Sequence, residues 1–125
     1  MKYLKNKSFQ RDLRNGGLED KETIMLDDVF NGRADSIGFK MYKVRLAREG
    51  QGKSGGFRSL FFWKKDESIV FCFLFAKNEQ ADLSPDEYRA LRILSKEYDS
   101  LTENEIEKRI ENKNLMEIKY AKETK

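Results

Sequence analysis

Basic side chains gathered around four glycines are the part of this sequence best suited to chemistry. Between Lys40 and Lys65, eight basic residues stand against a single acid, Glu49, in a chain whose net charge is only +3. The eight are Lys40, Lys43, Arg45, Arg48, Lys53, Arg58, Lys64 and Lys65. A local excess of this kind predicts a surface for a polyanion, although any one of these cations taken alone is more often a solvated surface charge.

The four glycines predict a loop that a phosphate backbone can approach closely, because glycine has no side chain to hold the ligand away. They are Gly50, Gly52, Gly55 and Gly56. The sequence from Gly52 to Ser54 matches the end of a nucleotide-binding P-loop, but Ala47 occupies the position of that motif's first glycine. A strand is predicted after the glycines, where a P-loop has a helix that binds phosphate. The segment therefore favours contact with a nucleic acid over nucleotide hydrolysis.

Composition excludes several other kinds of site. The chain has no histidine, which excludes Ser-His-Asp and Cys-His catalysis and histidine-ligated metals. Its single cysteine, Cys72, lies in an apolar stretch and is predicted to be a buried hydrophobic residue. No metal or cofactor is expected. No apolar run approaches the length of a membrane helix and no secretory signal is evident, so we expect a cytoplasmic protein.

Three predicted strands must position the cations, over residues 39–46, 57–64 and 68–76. Residues 42–46 alternate apolar and basic side chains, which indicates a half-buried strand with a cationic outer face. The short polar connection after Lys64 predicts an antiparallel hairpin. The third strand is apolar on both faces, as is typical of a central strand. If that strand continues regularly, Lys77 emerges on the same face as Phe73 and Phe75.

Helices are predicted on either side of this sheet region, residues 39–77. Residues 1–38 read as helical, with Ser8 capping a first helix and a second helix running from about Glu19 to Phe30. Ile24, Met25, Val29 and Phe30 are expected on the inward side of that second helix. Residues 84–111 predict two C-terminal helices, opened by capping boxes at Ser84 and Thr102. Residues 115–120 could add an edge strand. The whole predicts an α+β fold in a single domain, 1–125: a small antiparallel sheet with two N-terminal helices and the C-terminal helices packed on it.

Three segments, occurring together and in this order, resemble the RelE toxin superfamily and, within it, the HigB-like branch of type II toxin–antitoxin systems. They are YKVRLAREGQGKSGGFR at 42–58, FLFAKNE at 73–79 and LSPDEY at 83–88. The resemblance covers roughly residues 9–118. It implies a RelE-like sheet with two N-terminal helices, and cleavage of mRNA in the ribosomal A site. It also implies a cognate antitoxin, which in the HigA-like case is usually a helix-turn-helix protein.

Carried over residue by residue, the resemblance implies a site built from cations, without histidine or metal. Its implied catalytic residues are Arg48, Lys53, Arg58 and Lys77. Its implied RNA-binding residues are Lys43, Arg45, Ser54, Gly55, Gly56 and Phe75. The ribosome and mRNA are the implied partners, and operator DNA is reached only through the antitoxin.

Such a site can cleave RNA by orientation and charge alone. The 2′-hydroxyl of RNA can attack its own 3′-phosphate when the nucleotide is held in line, and orientation lowers the barrier by several kcal/mol. Arginines can neutralise the charge that develops on the phosphate oxygens. A lysine crowded by other cations loses its proton more readily, so Lys53 or Lys77 could act as the base. The sequence does not assign these tasks to individual residues.

Two departures from the family bear on the efficiency of cleavage. Phe73 and Leu74 stand where many relatives have a tyrosine and a glycine, so a phenolic donor is absent there. The alternative to a nuclease is a toxin-fold protein that acts by binding, either on a gyrase-like target, as ParE-type relatives do, or only on an antitoxin. A weaker alternative is direct DNA binding, for which the sequence shows no recognition helix.

Overall fold

The computed structural model describes the backbone of residues 1–48, 52–76 and 83–120, and their side chains except those of residues 47, 48 and 52–55. The described residues form one six-stranded sheet in the order β2-β3-β4-β5-β1-β6. In chain order the elements are β1 (Lys2–Asn6), α1 (Lys7–Gly16), α2 (Glu22–Phe30), β2 (Asp35–Gly38), β3 (Met41–Arg48), β4 (Gly52–Lys64), β5 (Ser68–Ala76), α3 (Pro85–Asp99), α4 (Glu103–Glu111) and β6 (Leu115–Glu117). Neighbouring strands are antiparallel except β1 and β5, which run parallel. The predicted α+β class is confirmed.

The predicted hairpin joins β4 to β5. Lys64 pairs with Ser68 across it, and Asp66 adopts a left-handed backbone with φ of 66° in the turn. Beyond the hairpin, β5 lies between β4 and β1 in the sheet, which confirms the central position predicted from its apolar residues.

Helices cover both faces of the sheet, so the protein has two apolar layers. On one face α1 and α2 pack on the strands through Phe9, Leu13, Met25, Leu26 and Val29. On the other face α3 packs through Leu91 and Tyr98, and half-buried isoleucines of α4 join the edge of that layer. No helix in the described part of the chain has the length and apolar character to span a membrane.

The two predicted capping boxes are present. Ser84 accepts a hydrogen bond from the Glu87 amide and its own amide donates to the Glu87 carboxylate, and Thr102 and Glu105 do the same for α4. These reciprocal bonds satisfy backbone donors that would otherwise lack partners in the first helical turn. The starts of α3 and α4 are therefore readable from sequence.

The N-terminal region differs from the prediction in three ways. Residues 1–38 contain the two predicted helices but also β1 and β2, so they are not helical throughout. The first helix is capped by Asn6, whose Oδ1 accepts from the Phe9 amide at 2.9 Å, and not by Ser8. The chain turns directly from β1 into α1, and this brings the helix start forward. Ile24 and Phe30, both predicted to face inward, are each 43% exposed.

A β-bulge in β5 changes which residues share a face. Leu60 pairs with Phe73 but its neighbour Phe61 pairs with Phe71, so Cys72 is an extra residue in β5. Simple alternation along the strand predicts that Phe71 and Phe73 share one face. The bulge instead sends Phe71 toward α1 and α2, and Phe73 toward α3.

Candidate nucleic-acid interface

Arg45, Arg58 and Phe75 lie side by side across three neighbouring strands. Arg45 of β3 pairs with Arg58 of β4, and Arg58 pairs in turn with Phe75 of β5. Residues that pair directly project from the same face of a sheet. The row therefore brings two arginine side chains and one aromatic ring to adjacent positions.

A second row lies two residues further along the strands on the same face. Lys43 pairs with Leu60, and Leu60 pairs with Phe73. Leu60, Phe73 and Phe75 belong to the apolar layer beneath α3, which identifies the side of the sheet on which both rows lie. We call this surface the cationic sheet face, and it consists of Lys43, Arg45, Arg58, Phe73 and Phe75.

The members of the cationic sheet face differ in exposure. Arg45 is exposed, whereas Lys43, Phe73 and Phe75 are half-buried. An exposed cation beside half-buried aromatic rings suits an RNA strand, since phosphates seek cations and bases stack on rings. The resemblance had implied RNA contact for Lys43, Arg45 and Phe75, and the pairing register brings these three together.

Arg58 is buried, with 5% of its surface exposed. Arginine stays charged at any ordinary pH, so the buried Arg58 side chain keeps its positive charge. The cation directly opposite, Arg45, adds repulsion. An anion held between the two arginines relieves this repulsion, so the arrangement favours a ligand that carries phosphate.

The glycine segment is extended and does not form a loop as predicted. β4 begins at Gly52, which pairs with Arg48 at the end of β3, so residues 52–56 belong to a strand. The cross-strand pairs at its two ends, Arg48 with Gly52 and Leu46 with Phe57, hold the segment extended, and the pairing register shifts between them. Gly56 is buried. The side chains of Arg48, Lys53 and Ser54, and the surroundings of Gly55, lie outside the described residues.

Lys77 also lies outside the described residues. Its neighbour Ala76 ends β5 opposite Phe57, next to the pair of Arg58 and Phe75. Of the four residues predicted to be catalytic, the structure therefore describes the side chain of Arg58 alone. The roles of Arg48, Lys53 and Lys77 stay predictions.

The eight cations counted in the sequence do not form one patch. Lys64 follows Arg58 in β4 by six positions, which is about 20 Å along a strand. There Lys40 and Lys64 both bind Asp99 at the end of α3, with N–O distances of 3.0 and 3.3 Å. Lys65 lies 5.5 Å from the centre of the Trp63 ring. At this far end of the sheet, the three lysines therefore make contacts within the protein and do not belong to the surface around Arg58.

The ion pairs at Asp99 have an electrostatic consequence of their own. The hydrogen bond from Lys40, followed by that from Lys64, lowers the pKa of the Asp99 carboxyl below its ordinary value. Asp99 thus stays ionised, and continues to bind both lysines, to a lower pH than an ordinary aspartate would. Sequence reasoning missed this role, because Asp99 is distant in sequence from both lysines and only the fold brings them together.

Phe73 is the member of the cationic sheet face that sequence reasoning did not assign to RNA binding. Sequence analysis placed Phe73 on the face of Phe75 and Lys77 and noted it as a departure from a tyrosine. In the structure Phe73 is half-buried, pairs with Leu60 and lies two residues from Phe75 in the same strand, so it is part of the same surface. The pairing register, which joins Phe73 to Leu60 and Leu60 to Lys43, is the signal that identifies it.

The sequence matches a model of a known protein family. The model described as the RelE toxin of the RelE / RelB toxin-antitoxin system matches residues 1–118, which include every helix and strand described above. No curated protein matches the chain.

Proposed function

We propose that this chain, which belongs to the RelE family of toxins in type II toxin–antitoxin systems, is a ribosome-dependent endoribonuclease that cleaves mRNA during translation. RelE family toxins are generally endoribonucleases, and the family implies a cognate antitoxin. The observation that carries the proposal is the opposed pair Arg45 and Arg58 beside Phe75. A gyrase-directed or inactive relative has no evident need for two arginines held together beside an aromatic ring.

The paired arginines can bind the phosphate that is cut. A guanidinium group offers several N–H donors in one plane and suits the non-bridging oxygens of a phosphate. Arg58, being buried, is surrounded by little water, and an interaction with developing negative charge is stronger there than at the surface. Phe75 lies next in the row and can stack on a base adjacent to the cut.

The reaction that we propose balances without a metal or an external oxidant. The 2′-oxygen attacks the adjacent phosphorus and forms a bond to it, the bond from phosphorus to the 5′-oxygen breaks, and a 2′,3′-cyclic phosphate results. The 2′-hydroxyl proton passes to a base, for which Lys53 and Lys77 are candidates. The departing 5′-oxygen takes a proton, for which Arg48 is a candidate donor.

In this proposal the ribosome aligns the mRNA for cleavage. A site made of cations and an aromatic ring holds the phosphate but offers little to align the 2′-oxygen, and a ribosome can supply that alignment to its bound mRNA. The segments at 42–58 and 73–79 favour the HigB-like branch, and with it a HigA-like antitoxin that alone contacts operator DNA. Because the proposed activity needs translating ribosomes, we expect the protein to act in the cytoplasm.

The test is cell-free translation with purified protein and mapping of mRNA ends by primer extension. We expect cuts within codons of translated mRNA, and loss of these cuts in the Lys53→Ala/Arg58→Ala variant. Arg14→Ala is the matched control, since Arg14 is an exposed arginine on α1 at the other side of the sheet. This control should cut like the wild type.

Two results would overturn the proposal. The first is intact mRNA and normal translation with the wild-type protein, which favours the gyrase-directed or antitoxin-binding alternative. The second is equal cleavage by the wild type and the double variant, which removes the cationic sheet face from the reaction. Cleavage of mRNA that is not being translated would refute ribosome dependence alone.

A further inference from the structure

We propose that Arg92 and Phe39 form a second RNA-binding position, which holds a phosphate of the same mRNA strand that the cationic sheet face binds for cleavage. Phe39 lies in the turn between β2 and β3, and Arg92 of α3 lies over its ring. This position, called the turn site here, consists of Phe39, Arg92 and Lys96. The inference rests on the proposed function, because it takes the same mRNA as its ligand.

The Phe39 ring holds the Arg92 side chain in place. The guanidinium carbon of Arg92 lies 4.7 Å from the centre of the ring, as in a cation–π contact. Arg92 is exposed and Phe39 is half-buried, so a ligand in solution can reach both. A guanidinium group that stacks on a ring keeps the N–H groups of its edge available, and these suit the oxygens of a phosphate. The pair is therefore an ordered cation beside an aromatic surface, a combination that binds single-stranded RNA.

The positive charge of the turn site has no partner of opposite sign. Neither Arg92 nor Lys96 forms an ion pair within the part of the chain that the structure describes. The two cations are four residues apart on one helix, so each also repels the other. The acids of α3, by contrast, are already bound: Asp86 by Arg89, Glu97 by Arg109, and Asp99 by Lys40 and Lys64. The charge that remains on this side of α3 therefore favours an anion.

The backbone at Phe39 is unusual for so large a residue. Phe39 and Lys40 both have a left-handed backbone, with φ of 43° and 62°, and turns of this kind usually carry asparagine or glycine there. Contacts from α3 hold the turn, because the Ser95 hydroxyl donates a hydrogen bond to the Phe39 carbonyl and Asp99 binds Lys40. A strained residue that its surroundings hold in position is typical of a functional site. The strain therefore supports a function for the ring at this turn.

The turn site continues the cationic sheet face along β3. Phe39 packs against the apolar layer beneath α3, on the side of the sheet to which the cationic sheet face belongs. Six residues, at most about 20 Å of chain, separate Phe39 from Arg45, and Lys43 projects between them on the same face. Asp35 pairs with Lys43 from the edge strand β2 and repels phosphate, so it limits the path on the outer side. One RNA strand can thus run from Arg45 past Lys43 to Arg92.

The test measures binding of a labelled single-stranded RNA of about twelve nucleotides to the purified protein by fluorescence anisotropy. Arg92→Gln removes the charge of the turn site and should weaken binding about fivefold or more at low salt. It should also make the dependence of log affinity on log salt less steep by about 0.7, which is the contribution of one phosphate contact on a single strand. This change in slope reports the loss of a phosphate contact and not a change in folding.

Phe39→Asn tests the contribution of the ring. Asparagine tolerates a left-handed backbone, so the turn should persist while Arg92 loses the surface that orders it. We expect RNA binding about threefold weaker or more, with the salt dependence nearly unchanged because no charge is removed. Far-ultraviolet circular dichroism confirms the fold, and Arg92→Gln alone decides the matter if Phe39→Asn does not fold.

Lys113→Asn is the matched control for both variants. It removes a positive charge and places asparagine at another left-handed residue, with φ of 67°. Lys113 is exposed and lies just before β6, at the opposite edge of the sheet from β2. This variant should bind RNA within about twofold of the wild type.

Binding and cleavage are measured separately, so failure of this inference differs from failure of the proposed function. If the wild type cleaves no mRNA but Arg92→Gln still weakens RNA binding, the nuclease proposal fails and the turn site stands. Unchanged affinity in Arg92→Gln, an equal loss in Lys113→Asn, or no RNA binding by the wild type would refute the turn site, whatever the result of the cleavage assay. If Arg92→Gln weakens binding only to ribosomes that hold no mRNA, the site contacts ribosomal RNA and its assignment to mRNA is wrong.

Discussion

Arg45 and Arg58 face each other directly across β3 and β4, one exposed and the other buried. Like charges in this relationship destabilise an antiparallel pair by a few tenths to about 1 kcal/mol. The same repulsion strengthens the attraction of the pair for a phosphate. The free protein is therefore less stable than its sheet would allow, which is a common cost of a binding site.

Replacing Arg45 by threonine should stabilise the protein and impair its function. Threonine favours strands, and its introduction removes the repulsion of Arg58, so the free energy of unfolding should rise by about 0.5 kcal/mol. Urea denaturation in low-salt buffer without phosphate measures this change. The gain should shrink at high salt, where charges are screened. A less stable Arg45→Thr protein at low salt would contradict the account of the opposed pair.

Arg58→Lys should lower the rate of mRNA cleavage by about a hundredfold. Lysine keeps the charge but lacks the planar group that can donate two hydrogen bonds to one phosphate. Single-turnover cleavage on translating ribosomes measures the rate, and far-ultraviolet circular dichroism confirms the fold. Cleavage within twofold of the wild type would show that Arg58 supplies charge alone.

Asn6→Ala should destabilise the protein more than Ser8→Ala. Asn6 caps α1 through its Oδ1 and also donates from Nδ2 to the buried Tyr98 hydroxyl at 3.2 Å, so it joins the layers on the two faces of the sheet. Loss of the cap costs about 1 kcal/mol, and loss of the second bond adds to it. Ser8→Ala, within α1, should change the free energy of unfolding by less than about 0.5 kcal/mol. Equal effects of the two substitutions would argue for the cap predicted from sequence.

Asp99→Asn should lower stability at neutral pH and have little effect in acid. The pKa of Asp99 is lowered in the folded protein by the hydrogen bond from Lys40 and then by that from Lys64. Its contribution is therefore complete above the unfolded value of about 3.9 and is lost as the pH falls through the folded pKa. Because these side chains are partly exposed, we expect about 0.5 kcal/mol at pH 7. Unfolding curves of both proteins at pH 7 and below pH 4 measure how the difference in unfolding free energy depends on pH. The same difference at both pH values would refute the prediction.

Cys72 should resist alkylation in the native protein. Burial raises the pKa of its thiol to about 12, so the thiolate fraction at pH 8 is about a thousandfold smaller than that of an ordinary cysteine. Iodoacetamide labelling followed by mass spectrometry should show modification only after denaturant is added. Fast labelling of the native protein would indicate that β5 opens readily.

The parts of the fold that follow local rules were predictable, and those that depend on distant pairing were not. The starts of α3 and α4 are predictable because Ser84 and Thr102 each form a capping box with a glutamate only three positions away. The five residues of β1 carry no comparable signal, because their place between β5 and β6 depends on partners far along the chain. The bulge at Cys72 is likewise invisible to alternation.

The candidate site divides in the same way. Its cations were identifiable from their local excess and from the family's motifs, and pairing confirms that Lys43, Arg45 and Phe75 share one surface with Arg58. The sequence could not show that Lys40 and Lys64 instead form ion pairs with Asp99. Both are cations of the same stretch, and only their distance along the strand from Arg58 sets them apart.

The position of β1 between β5 and β6 affects how the chain folds during its synthesis. Lys2 of β1 pairs with Ser68 of β5, and Leu4 of β1 pairs with Glu117 of β6. The first strand to be synthesised therefore cannot pair on both sides until the last strand, β6, has been made. Contacts between residues so far apart in sequence slow folding. The sheet that supports Arg58 is thus complete only when almost the whole chain has been translated. A nascent chain therefore lacks the finished six-stranded sheet until the residues of β6 have left the ribosome.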